Sequence, residues 1–106
     1  MKAIIIDDEY HNVETLSRLL NSNFPEINIE GSAGNVHDAV LLAQEYQPDL
    51  VFLDIQLRNE TSFDFLNRVT PRSFEVIFVT AYHQYGIEAI KYAALDYLLK
   101  PVDASE

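Results

Sequence analysis

The chain has 106 residues, 48% of them hydrophobic, which suits one domain with one packed core. Seven Lys and Arg stand against seventeen Asp and Glu, a formal net charge of −10 that repels phosphodiester backbones and argues against nucleic-acid binding by this chain. The absence of cysteine excludes disulfides and thiolate metal sites and fits a reducing compartment.

The first apolar run, Ala3 to Ile6, reads as a buried strand ending at Asp7 and Asp8. It is far too short for a signal peptide or a membrane span, so a cytoplasmic location with no membrane partner is the default expectation. From His11 to Asn21, Val13, Leu16, Leu19 and Leu20 recur at helical spacing. Pro25 punctuates, and Ile27 and Ile29 alternate with polar residues in a second strand that reaches Ala33. Asn35 with Asp38 three residues on marks a helix start, and Val36, Ala39, Val40 and Ala43 give that helix its core stripe.

Leu50 to Leu53 is a third apolar strand, ending at Asp54. Phe63, Leu66 and Val69 predict a short third helix, stopped near Pro71. Val76 to Val79 is a fourth strand, ending at Thr80. Ile87, Ala89, Ile90 and Ala93 predict a fourth helix, weakened at its start by Gly86. Tyr97 to Leu99 is a fifth strand, ending at Lys100 and Pro101. No internal repeat, linker or low-complexity tract interrupts this alternation. Short apolar strands separated by helices imply βαβ crossovers and a parallel sheet covered on both faces. Such sheets bind ligands at the carboxyl ends of their strands.

Those ends carry Asp7, Asp8, Asp54, Thr80 and Lys100. A parallel sheet brings them to one rim. Three carboxylates that close together cannot all stay charged cheaply; a pKa rises or a cation enters. Magnesium suits a few carboxylates, waters and a phosphoryl oxygen. A lysine supplies a flexible positive charge for a phosphoryl group, and a threonine a hydroxyl donor. The set fits phosphoryl transfer by positioning and charge neutralisation. Taken singly, each residue has a plainer reading. Asp7 and Asp8 could cap the first helix, Thr80 could be a satisfied hydroxyl, and Lys100 a solvated surface charge.

The segments Ile5 to Glu9, Leu50 to Asp54, Val79 to Ala81 and Leu99 to Pro101 resemble the response-regulator receiver family over nearly the whole chain. Ala94 to Val102 is similar to receivers that precede LytTR-type DNA-binding domains. The resemblance implies a flavodoxin-like α/β fold with strand order 2-1-3-4-5. It implies that Asp54 accepts a phosphoryl group from a sensor histidine kinase. Asp8 and Asp54 then ligate Mg²⁺, with Asp7 contributing directly or through water and the Gln56 carbonyl completing the protein ligands. Thr80 and Lys100 engage the phosphoryl group, and the bond from Lys100 to Pro101 is cis. Tyr97 is the switch aromatic that reshapes the surface of helix four and strand five. The chain is then a switch that assists its own phosphotransfer and dephosphorylation, not a metabolic enzyme.

Departures from the family bear on the loop after Asp54. Arg58 stands where the family commonly has Pro, and Ser62 where it has Gly, so a differently shaped loop with strain at Ser62 is expected. Tyr82 is placed to restrict water and alter the lifetime of the phosphorylated state; Tyr85 and Tyr92 read as packing or partner-facing residues. Only Val102 to Glu106 follow Pro101, so residues 1–106 are expected to be a receiver domain whose fifth helix is missing or truncated, preceding an output domain. The apolar face so left would make a homodimer. Three rivals stand beside this reading. A pseudo-receiver would keep the fold as a protein-interaction module without phosphorylation. A haloacid-dehalogenase-type phosphatase would place Asp-x-Asp after its first strand, which this chain does not. A flavin-binding protein would need a phosphate-cradling loop, and none is visible.

Overall fold

The computed structural model describes residues 1–69, 73–81 and 96–100. In chain order these form β1 (Lys2–Ile6), α1 (Tyr10–Asn23), β2 (Asn28–Ala33), α2 (Val36–Tyr46), β3 (Leu50–Leu53), β4 (Gln56–Leu57), β5 (Glu60–Thr61), α3 (Phe63–Arg68), β6 (Glu75–Thr80) and β7 (Asp96–Leu99). The main sheet is five-stranded and parallel, in the order β2-β1-β3-β6-β7. Its first-to-fifth strands therefore stand in the expected order 2-1-3-4-5.

The period-2 alternation of strand side chains sorts the core into two layers. Ile4, Ile6, Val51, Leu53, Val76 and Phe78 face α2 and α3. Ala3, Ile5, Leu50, Phe52 and Val79 face the α1 side, where Leu16 and Leu20 pack. The central strands bury both faces, hence their unbroken apolar runs; edge strand β2 alternates instead. Phe63 meets Phe78 edge-on at 5.7 Å, and Phe65 stacks on Phe74 at 6.0 Å.

Local signals fix the helix ends. Asn35 Oδ1 accepts the Asp38 N–H at 2.8 Å, while its amide donates to the Asp38 carboxylate at 3.0 Å. This is a reciprocal cap at the start of α2. That helix ends at Gln47, in the left-handed region at φ 46°, with its N–H donated to Ala43 O. Asp7 and Asp8 do not cap α1; its N-cap is Glu9, with no side-chain cap bond. Asp49 ties three strands together at the amino end of the sheet. Its N–H donates to Lys2 O, its carbonyl accepts from Glu75 N, and its carboxylate accepts from Lys2 N at 2.9 Å.

One element differs from expectation. The stretch after Asp54 is an antiparallel hairpin of β4 and β5, too short to show periodicity in sequence. The strain expected at Ser62 is absent. Ser62 sits at φ −70°, and Gln47 alone among the described non-glycine residues has positive φ. The Ser62 hydroxyl instead donates to the carbonyls of Asp54 and Ile55, so its side chain is used where the family has none. The fourth helix around Ile87 to Ala93, the stop at Pro71, the peptide at Pro101, Tyr82, Tyr85, Tyr92 and the segment Val102 to Glu106 lie outside the described residues. Among the described residues, no helix is long and apolar enough to cross a membrane.

Candidate functional site

Strand register builds the site. Ile6 pairs with Leu53, Leu53 with Phe78, and Thr80 with Leu99. Hydrogen bonding then continues one residue past the strands. Asp7 N donates to Ala33 O, Asp54 N to Ile6 O at 2.8 Å, and Lys100 N to Thr80 O at 2.9 Å. The backbones of Asp7, Asp54 and Lys100 are thus fixed by the sheet before any side-chain contact forms.

Their side chains converge. Asp7, Asp8 and Asp54 each offer a carboxylate oxygen, all within 4.8 Å of one another. Lys100 Nζ donates at 2.8 Å to Asp7 Oδ2 and at 2.8 Å to Asp54 Oδ2. Asp7 Oδ1 accepts the Glu9 N–H at 2.9 Å, which sets the turn into α1. Asp7 and Asp54 are buried and Asp8 is partly exposed; Thr80 is fully buried. Asp54 Oδ1 is buried with no hydrogen-bond partner.

The electrostatics follow. Burial pushes the Asp54 carboxyl above its ordinary 3.8; Lys100 opposes this by hydrogen bond and charge, Asp7 adds to it, and the Thr80 hydroxyl opposes it. Burial alone would lower the Lys100 pKa, but its bonds to Asp54 and Asp7 and their charges raise it above 10.5. One ammonium therefore serves two buried carboxylates beside a third. The orphaned Oδ1 and the all-oxygen donor set fit a hard divalent cation such as magnesium. Exposed acidic clusters often hold no ion; here burial of two members and the unpartnered oxygen make the difference.

A cleft of about 530 Å³ opens over these groups, lined by Asp8, Asp54, Gln56, Arg58, Ala81 and Lys100. Gln56 is part-buried in β4, and its side-chain amide donates to Leu57 O at 3.0 Å. The structure thus brings together Asp7, Asp8, Asp54, Thr80 and Lys100, with Gln56 at the cleft wall. The Tyr97 backbone lies in β7; its side chain lies outside the described residues. Sequence reasoning missed Glu60, whose carboxylate accepts the Val36 N–H at 2.9 Å and ties the hairpin to α2. No local pattern announces a contact spanning 24 residues.

A parallel sheet with an acidic rim and a lysine just past the end of its edge strand is the architecture of receiver domains. The chain belongs to the family described as response regulator receiver domain, which matches residues 3–106. A response regulatory protein of Vibrio cholerae is 40% identical over 104 residues, covering 97% of this chain and 44% of that protein. The sensory transduction protein LytT of Bacillus cereus is 38% identical over 105 residues, covering 97% of this chain and 42% of that protein. The finer likeness to LytTR-type receivers thus has counterparts among curated relatives. The chain spans less than half the length of these relatives. Among solved structures, the response regulatory domain of mrkE from Klebsiella pneumoniae superposes with TM-score 0.88 at 30% identity, covering 99% of this chain and 87% of that one. The receiver domain of AraT from Geobacillus stearothermophilus does so with TM-score 0.87 at 26% identity, covering 98% and 84%.

Proposed function

We propose that this chain is a phosphoacceptor switch of a two-component system, with Asp54 taking a phosphoryl group from the phosphohistidine of a sensor kinase. The observation that carries the reading is the Asp54 carboxylate itself: buried, with one oxygen on Lys100 and the other without a partner. In the transfer, an Asp54 oxygen forms a bond to phosphorus as the phosphorus–nitrogen bond of the donor breaks. The imidazole nitrogen keeps the electron pair. Lys100 restrains the rise in the Asp54 pKa and so favours the nucleophilic carboxylate. Its own raised pKa keeps it charged to meet phosphoryl oxygens.

Asp8 and Asp54 would hold magnesium, with Asp7 and the Gln56 carbonyl assisting. Bound there, the ion supplies neutralisation of the charge gathered on carboxylates and phosphoryl oxygens. Thr80, buried beside Asp54, would donate its hydroxyl to the phosphoryl group, and Tyr97 in β7 would relay that change to a partner surface. Residues 1–106 would form a cytoplasmic receiver domain that pairs with a second copy and controls an output domain elsewhere in a longer protein. Family membership supports the kinase as partner.

Incubation with acetyl phosphate and magnesium, followed by intact mass measurement, tests this. The expected result is one added phosphoryl group, absent in Asp54→Ala. An unmodified wild-type chain, or equal modification of the variant, would refute the reading and leave a phosphorylation-independent interaction module.

A further inference from the structure

The β4–β5 hairpin places a cation at the mouth of the Asp54 cleft. Its two-residue turn is Arg58 and Asn59, between the paired Leu57 and Glu60. Leu57 is buried in the core and roots one strand, while Glu60 fastens the other to the first N–H of α2. The turn is therefore held at both sides. Arg58 is exposed and borders two depressions. One contains Asp54, Gln56 and Lys100; the other contains Asp8, Asn35 and Glu60.

The charge of Arg58 is uncommitted. Among the described residues it has no hydrogen-bond or ion-pair partner. Arg18 and Arg68, by contrast, each pair with a carboxylate four residues earlier. Lys100, the other cation lining this cleft among the described residues, is already shared between Asp7 and Asp54. An anionic donor approaching this rim meets three carboxylates on a chain of net charge −10. A guanidinium is planar and forked, matched to phosphoryl oxygens.

We infer that Arg58 captures the phosphoryl group of the donor at the cleft mouth and favours donors carrying two negative charges over donors carrying one. This rests on Asp54 being the phosphoacceptor. Acetyl phosphate and phosphoramidate separate the charge effect, because near neutral pH the first is a dianion and the second carries one net negative charge. With acetyl phosphate, an Asp54 oxygen bonds to phosphorus, the phosphorus–oxygen bond to the acetyl group breaks, and acetate leaves with the electron pair. With phosphoramidate, the phosphorus–nitrogen bond breaks and ammonia leaves with the electron pair.

The test compares wild type, Arg58→Lys and Arg58→Gln with both donors in magnesium, scored by intact mass. Removing one nearby exposed charge lowers the second-order rate by about fivefold for the dianion and about twofold for the monoanion. Arg58→Lys keeps the charge but not the fork, so with acetyl phosphate its rate falls between those of wild type and Arg58→Gln. Magnesium binding measured calorimetrically in Arg58→Gln is equal or tighter, since a repelling charge has gone; a damaged site would bind more weakly. Equal loss with both donors, no loss with acetyl phosphate, or weaker magnesium binding overturns the assignment. A wild-type chain labelled by neither donor overturns the phosphoacceptor reading and this one with it. A labelled wild type with an unaffected Arg58→Gln overturns only the role of Arg58.

Discussion

Neutralising Asp54 should stabilise the fold. The carboxylate is 7% exposed, sits against Asp7 and Asp8, and leaves Oδ1 without a partner. Burial raises its pKa, so the fold disfavours the charged form relative to water despite Lys100. Asn has the same shape and no charge, and Lys100 keeps Asp7 as its counter-ion. Asn keeps an oxygen for Lys100 and puts an amide N–H donor where Oδ1 lacked one, beside the Asp7 and Asp8 carboxylates, so Asp54→Asn should gain about 1–3 kcal/mol, the worth of a hydrogen bond to a charged group. For a domain of this size the gain corresponds to a rise in Tm of about 4 °C or more. Its pH dependence has a definite sign. The folded chain holds the Asp54 proton more tightly than the unfolded chain, so the stability from this group is complete below 3.8 and is lost as pH rises through the higher folded value. The advantage of the variant is therefore small in acid and full at neutral pH. Urea denaturation in EDTA at several pH values measures it. Magnesium should narrow the gap by stabilising the wild type, by about 2.7 kcal/mol at a hundred times its Kd. An Asn variant no more stable than wild type at neutral pH in EDTA, with an unchanged m-value, would refute this account of the site.

Three further outcomes follow from particular contacts. Lys100→Met strands two buried carboxylates and should destabilise the metal-free fold by about 3–5 kcal/mol. Because the folded Lys100 pKa is raised, that difference should hold from neutral pH to 10.5 and close as pH rises through the folded value; it should also shrink in acid as Asp54 takes up its proton, as urea titrations would record. Ser62→Ala removes the donor to the Asp54 and Ile55 carbonyls and should cost about 1–2 kcal/mol, read from the midpoint of chemical denaturation. Gln47→Gly relieves a left-handed C-cap and should add about 0.5–1 kcal/mol, seen as a raised Tm with unchanged phosphorylation by acetyl phosphate.

What could be read from sequence was what rests on long or repeated signals. Ala3 to Ile6 and Leu50 to Leu53 announced buried parallel strands, and the side chains following them had to share a rim. Asn35 and Asp38 announced a helix start because the cap is local. The β4–β5 hairpin escaped because each strand has two residues and no period to detect. Ser62 was misread because a residue type common at one φ does not prove that φ; the chain takes −70° there and uses the hydroxyl. The Glu60 contact to α2 and the double engagement of Lys100 depend on tertiary approach, which no window of sequence contains.

The role of Asp49 carries a consequence for how this scaffold tolerates change. One residue clamps β1, β3 and β6 at the end of the sheet remote from the cleft, through its amide, its carbonyl and its carboxylate together. The opposite end carries no share of that clamp. The exposed turn at Arg58 and Asn59 lies at that end, so its side chains can change in charge while Asp49 holds the three strands in register, and donor preference can shift without a new fold.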